Sequence, residues 1–259
     1  MPSIIILLLN VINTLDEDSV NFKIANYLLL NINDLEDLSM STIAKNCNVS
    51  KATVSRFCKQ IGVDNFYEFK FICQNRSSDV IEKYYPIASL ENSTTQFIDE
   101  TIKALQLVKE SLNSKILNEL VEDLLKYDKV AAFGHMQSGN IAVSLQHDLF
   151  SNGKMVYTRM PYIDQKQFIE AATKENLIII FSASGTYFSR LFQRDGFFDK
   201  KNKPKIYMIT TSVIKAPQSF IDHVISLPNK YELSSSMILQ CYANLIPLKY
   251  FEYVHKENL

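Results

Sequence analysis

Short apolar runs rich in β-branched residues alternate with helical patterns through the second half of this 259-residue chain. Alternation at this spacing indicates β–α–β crossovers, which build a mainly parallel sheet covered by helices on both faces. A closing helix is expected over Ser234–Val254. The predicted strands are Lys129–Phe133, Met155–Tyr157, Leu177–Phe181, Lys205–Thr210 and Val224–Leu227. The sequence therefore predicts an α/β domain with a five-stranded, mainly parallel sheet.

The first part of the chain shows helical spacing only. Ile24, Tyr27 and Leu28 recur with the period of an α-helix, and no strand pattern appears before residue 75. A polar stretch bearing Ser, Thr and Asn follows, and the domain junction is expected there. The predicted division is an all-helical domain over residues 1–77, a linker over 78–94 and the α/β domain over 95–259.

Composition argues against a disordered, secreted or membrane-spanning chain. Hydrophobic residues make up 47% and charged residues 21%, so the chain can bury two cores. The four cysteines form neither a CxxC pair nor a secretory framework, which favours a reducing compartment. The apolar run Ile4–Leu9 is too short to span a bilayer and lacks basic flanks. We expect a cytoplasmic protein with no membrane partner.

Cations cluster in one short segment, although the net charge of the whole chain is −1. Lys45, Lys51, Arg56 and Lys59 lie within the segment 45–59, which contains no acidic residue. A DNA-binding protein needs a positive face and not a positive total charge. The segment is compatible with DNA binding but does not require it.

The same segment has the pattern of two short helices joined by a tight turn. Ala44 is small enough for the helices to approach closely, and Asn48 tolerates the positive φ that the turn needs. Ser50 is a good N-cap for the second helix, which is expected to end at Gly62. The buried stripe of that helix is expected to be Val54, Phe57, Cys58 and Ile61.

The opposite side of the second helix is polar and cationic, as a helix in a major groove requires. Arg56 is the candidate for reading a guanine edge, and Lys51 and Lys59 are candidate phosphate contacts. The alternative is an ordinary helical hairpin with a solvated basic face. The candidate DNA-binding residues are Ser50, Lys51, Ala52, Thr53, Ser55, Arg56 and Lys59.

Small and hydroxyl-bearing residues follow two of the predicted strands. Ligands of open parallel sheets bind beyond the carboxyl ends of the strands, where Ser/Gly-rich turns offer hydroxyls and free N–H groups to a phosphate. The alternative is that the serines only cap helices. The chain has neither GxGxxG nor GxxxxGK[ST], so no nucleotide cofactor is expected. The candidate ligand-binding residues are Gly134, Ser138, Ser182, Ser184, Gly185 and Thr186.

Catalysis has weak support in the sequence. His135 follows a strand end and could act as an acid or base, but a polar turn residue is the simpler interpretation. No HxxxH or carboxylate cluster suggests a metal, and the cysteines have no matching histidine pattern. We therefore expect no enzymatic activity, no catalytic residue, no metal and no cofactor.

Residues 1–75 resemble the N-terminal domain of the RpiR family of bacterial regulators. The resemblance is carried by the run VSKATVSRFCKQIG over Val49–Gly62, followed by Phe66 and the segment Glu68–Lys70. Asn65 stands where the family usually has a glycine. The family match covers the whole predicted first domain.

Residues 95–257 resemble a SIS (sugar isomerase) domain, a phosphosugar-binding module. The resemblance rests on a G-x-G-x-S motif after the first strand and an S-x-S-G-x-T motif after the third. Met136 replaces the second glycine of the first motif, and Tyr187 stands at the final threonine of the second, beside Thr186. The matching residues are Gly134, Ser138, Ser182, Ser184 and Gly185.

Together the resemblances imply an all-α helix-turn-helix bundle followed by a three-layer α/β SIS domain. They imply a transcription regulator of carbohydrate metabolism genes that responds to a sugar phosphate. The expected assembly is a homodimer, or a dimer of dimers, on double-stranded DNA with an inverted repeat. The alternatives are an enzyme resembling phosphosugar isomerases and a DNA-binding regulator whose SIS domain is only a dimerisation module.

Overall fold

A computed structural model describes residues 4–35, 37–74, 83–191, 202–214 and 218–256. Its contacts divide the chain into two compact units. The first unit comprises Met1–Ser77 with Met160–Gln167, and the second comprises Ser78–Arg159 with Phe168–Leu259. Of the predicted linker, residues 78–82 lie outside the described residues. The rest of it includes a short helix with Ile87 buried.

The described part of the segment 4–74 is helical, as the apolar spacing predicts. Buried side chains from successive helices, including Leu8, Ile24, Ile43, Phe57 and Phe69, form its core. A single 3₁₀ turn follows α2 in the described residues. The helices are α1 (Ile4–Thr14), α2 (Val20–Leu30), α3 (Met40–Asn46), α4 (Lys51–Gln60) and α5 (Phe66–Gln74).

The second unit contains a parallel sheet with strands in the order β1-β2-β3-β4. Residues of one sheet face, such as Ala132, Ile179 and Ile209, share a core with α7, α8, α9 and α12. On the opposite face, Phe133 meets Phe168 of α10 edge to face, at 5.3 Å between ring centroids. The strands are β1 (Lys129–Phe133), β2 (Asn176–Ser182), β3 (Lys205–Thr210) and β4 (His223–Ser226). The helices are α6 (Tyr85–Ala88), α7 (Ser93–Glu110), α8 (Ser114–Lys126), α9 (Gln137–Ser151), α10 (Tyr162–Ala171), α11 (Tyr187–Leu191) and α12 (Ser235–Val254). Of α10, residues 162–167 belong to the first unit and residues 168–171 to the second.

The prediction of a five-stranded sheet was wrong, because the described sheet has four strands. The predicted strand Met155–Tyr157 is reduced to an isolated parallel bridge between Tyr157 and Ala131. Val156 is buried, whereas Met155 and Tyr157 are 42% and 40% exposed. One buried side chain gives this run too little apolar contact to extend its pairing along β1.

Candidate functional site

The segment Ser39–Gln60 forms two helices joined by a tight turn. Ser39 caps α3 by accepting a hydrogen bond from the Thr42 N–H at 3.0 Å, and Ser50 caps α4 by accepting one from the Thr53 N–H at 3.1 Å. Asn48, between the helices, has a φ of +53°, a conformation that asparagine tolerates better than most residues. The predicted turn and the predicted start of α4 are therefore confirmed.

Apolar contacts hold α3 and α4 together. Ile43 and Ala44 of α3 are buried, as are Val54 and Phe57 of α4. Cys58 also lies in this core, and burial raises the pKa of its thiol to about 12, so the thiol stays protonated at neutral pH. The predicted buried stripe of α4 is confirmed, and it fixes which side of α4 faces outward.

The seven candidate DNA-binding residues lie at the N-cap of α4 or along the helix, and none of them is buried. Lys51, Arg56 and Lys59 are exposed, and none of them forms an ion pair with a residue that the structure describes. Arg56 Nη2 donates a hydrogen bond to Thr53 Oγ1 at 3.2 Å. Unneutralised cations spread along α4, from its first residue to its last turn, suit contact with a polyanion. The remaining candidates are Ser50 and Ala52, which are exposed, and Thr53 and Ser55, which are half-buried.

The turn after β1 is unusually tight at Gly134. A Cβ atom on this residue would lie 2.5 Å from the carbonyl carbon and 2.6 Å from the carbonyl oxygen of Ser138. No side chain larger than hydrogen fits there without moving the first turn of α9. Gly134 therefore brings the start of α9, with the buried Ser138, directly against the end of β1.

Met136 has the backbone conformation of a glycine. Its φ of +51° and ψ of −118° place it outside the regions that side-chain-bearing residues favour. It is also the position at which the SIS motif has its second glycine. The turn thus keeps the shape that a glycine would allow, at a strain of about 1–3 kcal/mol.

Replacing Met136 by glycine is expected to stabilise the second unit by about 1 kcal/mol, because strain relief exceeds the added entropy of the unfolded chain. Hydrogen exchange of peptides covering β1 and β2, which lie within the second unit, measures this change. Met136→Ala is the matched control, because it keeps the Cβ atom and therefore the strain. Equal stabilisation by both variants would show that the Met136 side chain, and not its backbone, is unfavourable.

The turn after β2 gathers hydroxyl groups. Ser182 ends the strand, and Ser184 Oγ lies 2.7 Å from Thr186 Oγ1. Gly185 between them has a φ of +69°, and a Cβ atom there would lie 3.0 Å from the Ile214 side chain. Glycine is therefore favoured at this turn for two reasons: its φ is positive, and the Ile214 side chain leaves little room for a Cβ atom.

Hydroxyls of two residues that follow β3 contact this turn, and a serine at the start of α12 contacts one of them. The sequence prediction missed all three. The Ala183 carbonyl oxygen lies 3.0 Å from Thr211 Oγ1 and accepts a hydrogen bond from Ser212 Oγ at 2.9 Å. Thr211 Oγ1 also lies 2.8 Å from Ser235 Oγ, to which Asn229 Nδ2 donates at 3.0 Å. The run Thr210-Thr-Ser212, at the end of the predicted strand Lys205–Thr210, is the sequence feature that could have identified Thr211 and Ser212.

Aromatic rings connect the two turns. Tyr187 is 1% exposed and stacks on His135, with 4.7 Å between ring centroids and 21° between ring planes. Phe188 packs edge to face on Tyr187 at 5.2 Å. The stack holds the imidazole ring of His135 against a neighbouring side chain.

The turns offer uncharged hydrogen-bond donors. The segments 134–140, 182–188 and 210–214 contain no Asp, Glu, Lys or Arg. Within the described residues, no group of three or more His, Cys, Asp and Glu side chains is placed to hold a metal ion. In that same part of the chain, no helix has both the length and the apolar character needed to cross a membrane.

The chain is similar to known transcription regulators. The HTH-type transcriptional regulator HexR of Pseudomonas aeruginosa is 24% identical over 167 residues, which cover 63% of this chain and 59% of HexR. HexR of Escherichia coli K12 is 28% identical over 141 residues, 52% of this chain and 49% of that protein. The chain thus spans about half the length of these curated relatives.

Solved structures share the fold. The NanR protein of Vibrio vulnificus, complexed with ManNAc-6P, has a TM-score of 0.53 and 15% identity, covering 98% of this chain and 93% of NanR. A protein of Escherichia coli CFT073 has a TM-score of 0.50 and 20% identity, covering 62% of this chain and 89% of its own. At these identities the likeness establishes the fold.

A family model described as a helix-turn-helix domain of the rpiR family matches residues 8–79. This range contains α3, α4 and the turn between them. The N-terminal part of the chain is therefore a helix-turn-helix domain of the rpiR family, as its sequence predicts.

Proposed function

We propose that this chain is a DNA-binding transcription regulator of carbohydrate metabolism genes that responds to a sugar phosphate bound in its second unit. The observation that carries the proposal is the exposed, unneutralised cationic side of α4 in a helix-turn-helix domain of the rpiR family. The regulator names of the HexR relatives support it. The protein acts in the cytoplasm as a homodimer, or a dimer of dimers, on an inverted repeat.

The DNA contacts divide into two kinds. Arg56 reads a guanine edge in the major groove, because a guanidinium can donate twice to O6 and N7. Lys51, Lys59 and the cap at Ser50 bind phosphates and fix the register of α4. Ala52 and Ser55 complete the face that enters the groove, and Thr53 lies at its margin beside Arg56.

The ligand site lies beyond the carboxyl ends of β1 and β2. Ser138 and Ser182 are each 7% exposed, and neither hydroxyl has a hydrogen-bond partner among the described residues. Both hydroxyl oxygens still reach the protein surface, so each is free to donate a hydrogen bond to an acceptor from outside the chain. Ser184 and Thr186 add donors for a phosphate, and the close turns at Gly134 and Gly185 hold the segments that carry these hydroxyls in place. The ManNAc-6P named in the NanR complex is a ligand of this chemistry.

Two other functions remain as alternatives. An isomerase-like enzyme would need His135 to reach substrate, whereas its ring is stacked on the buried Tyr187. The same stack favours the other alternative, in which the second unit serves only for dimerisation. The reason is that the stack places the aromatic ring of Tyr187 where the SIS motif has a threonine. We favour ligand sensing without catalysis, because the Ser138 and Ser182 hydroxyls lie beyond the strand ends with no hydrogen-bond partner among the described residues and are available to a ligand.

A thermal-shift screen of the full chain against aldose, ketose and amino-sugar phosphates tests ligand binding. One of these compounds is expected to raise the melting temperature, and Ser182→Ala is expected to weaken its binding by about tenfold. Ser182→Ala should not itself destabilise the protein, since the hydroxyl that it removes makes no hydrogen bond with the described residues.

Ser151→Ala is the control, because Ser151 is an exposed serine at the other end of α9. It should leave the shift unchanged. A wild-type chain that no sugar phosphate stabilises would favour the dimerisation alternative. Turnover of a compound in the panel, lost in His135→Ala, would favour the enzyme.

A further inference from the structure

The N-terminal half of α4 contains a chain of hydrogen bonds that joins its cap to Arg56. Ser50 Oγ accepts the Thr53 N–H at 3.1 Å and lies 2.9 Å from Thr53 Oγ1. Thr53 Oγ1 in turn accepts a hydrogen bond from Arg56 Nη2 at 3.2 Å. The three residues are spaced at i, i+3 and i+6, so they lie along one side of the helix.

Counting protons shows what this chain of hydrogen bonds presents to its surroundings. The two hydroxyls of Ser50 and Thr53 carry two protons, and one of these is used between them. Both oxygens already accept a bond, from the Thr53 N–H and from Arg56. One hydroxyl proton and four of the five guanidinium N–H groups remain to be donated. The group is therefore a compact set of donors, complementary to phosphate oxygens and to the acceptor edge of guanine.

Thr53 is the residue that orients Arg56. An exposed arginine has about 2 kcal/mol of rotamer entropy, and ordering it before binding lowers the cost of a two-bond contact. Among the residues that the structure describes, the hydrogen-bond partner of the Arg56 guanidinium is Thr53. The half-buried position of Thr53, at the third residue of α4, makes its hydroxyl a fixed anchor.

We propose that Thr53 is a positioning residue that acts through Arg56 and determines the base preference of α4, without contacting a base itself. This inference rests on the proposed DNA-binding function. It assigns to Thr53 a role in specificity and not in general affinity. Its effect should consequently depend on the presence of Arg56.

The test uses the full chain and two duplexes: one that the wild type selects from a randomised library and a scrambled duplex of equal length. Thr53→Val, which removes only the hydroxyl function from a side chain of similar shape, is expected to weaken binding to the selected duplex by about five- to tenfold. Binding to the scrambled duplex should change less than about twofold. Thr53→Ser restores the hydroxyl and should recover most of the loss.

A double-mutant cycle separates positioning from direct contact. In an Arg56→Ala background, Thr53→Val is expected to cause no further loss, since residues that act as a unit are non-additive. Hydrogen exchange of α4 peptides checks that the fold of each variant is intact. Equal loss on both duplexes, or the same loss with and without Arg56, would overturn the positioning role.

The outcomes also distinguish this inference from the function on which it rests. A wild-type chain that selects no duplex contradicts the DNA-binding proposal itself, and the role of Thr53 with it. A selective wild type whose base preference Thr53→Val leaves unchanged contradicts the positioning role alone.

Discussion

Replacing Arg56 by alanine is expected to lower affinity for the selected duplex by about tenfold to a hundredfold and to relax the preference at one base pair in each half-site. A bidentate arginine–guanine contact discriminates against other bases by about 1–3 kcal/mol. Arg56 is exposed on the outward side of α4, where its guanidinium has no carboxylate partner among the described residues. Fluorescence anisotropy with duplexes substituted at each position measures both effects.

Lys59→Ala is the matched control, because it removes a neighbouring exposed cation from the same helix. Loss of a phosphate contact should weaken binding almost uniformly across sequences and reduce the salt slope by about one. Arg56→Ala should instead act mainly at one position. If both variants weaken every sequence equally, Arg56 is a phosphate contact. If neither changes binding, α4 does not lie in a groove.

The helix-turn-helix was predictable because its signals are local. A cap such as Ser50 and a turn residue such as Asn48 each act within a few residues, and the structure has both where the sequence places them. The spacing of Val54 and Phe57 then decides which side of α4 is buried. Arg56 must consequently face away from the core of the first unit.

The errors in the second unit arise from contacts between distant parts of the chain. Met155–Tyr157 has a strand-like composition, but whether it pairs depends on how much of it β1 and α9 can bury. The Ser212 hydroxyl reaches the turn after β2, and the Ser235 hydroxyl reaches Thr211, only because β3 lies next to β2 and α12 begins near the end of β3. Strand order cannot be deduced from short-range patterns, so these residues were missed.

Met136 shows a different limit of prediction from the sequence, which concerns backbone conformation. Residue type alone argues against a positive φ at a methionine, yet the structure has one. The resemblance to a motif with glycine at this position contains the information that residue propensity lacks. A tight turn imposed by Gly134 and by the packing of α9 overrides the local preference of a single side chain.

Gly134→Ala is expected to destabilise the second unit by about 1–3 kcal/mol, the usual effect of forcing an extra methyl into a packed site. The added Cβ atom would lie within 3.0 Å of three atoms of Ser138, two of them backbone atoms that no rotamer change can move. Relief of this clash requires α9 to shift, but Ile141, Leu145 and Leu149 of that helix are packed in the core. The same shift would displace Ser138 from the end of β1, so sugar-phosphate binding should weaken as well.

Gly153→Ala provides the comparison for this prediction. Gly153 has a φ of +82°, but a Cβ atom added there would meet no atom within 4 Å beyond its chain neighbours, so alanine introduces backbone strain of about 1–2 kcal/mol without a clash. Hydrogen exchange of peptides from β1, β2 and α9 reports on both variants, and the thermal shift with the bound sugar phosphate reports on the site. Gly153→Ala should retain the ligand response, because Gly153 follows the far end of α9. If Gly134→Ala also retains it, the close approach of β1 and α9 is not what places the ligand-binding serine.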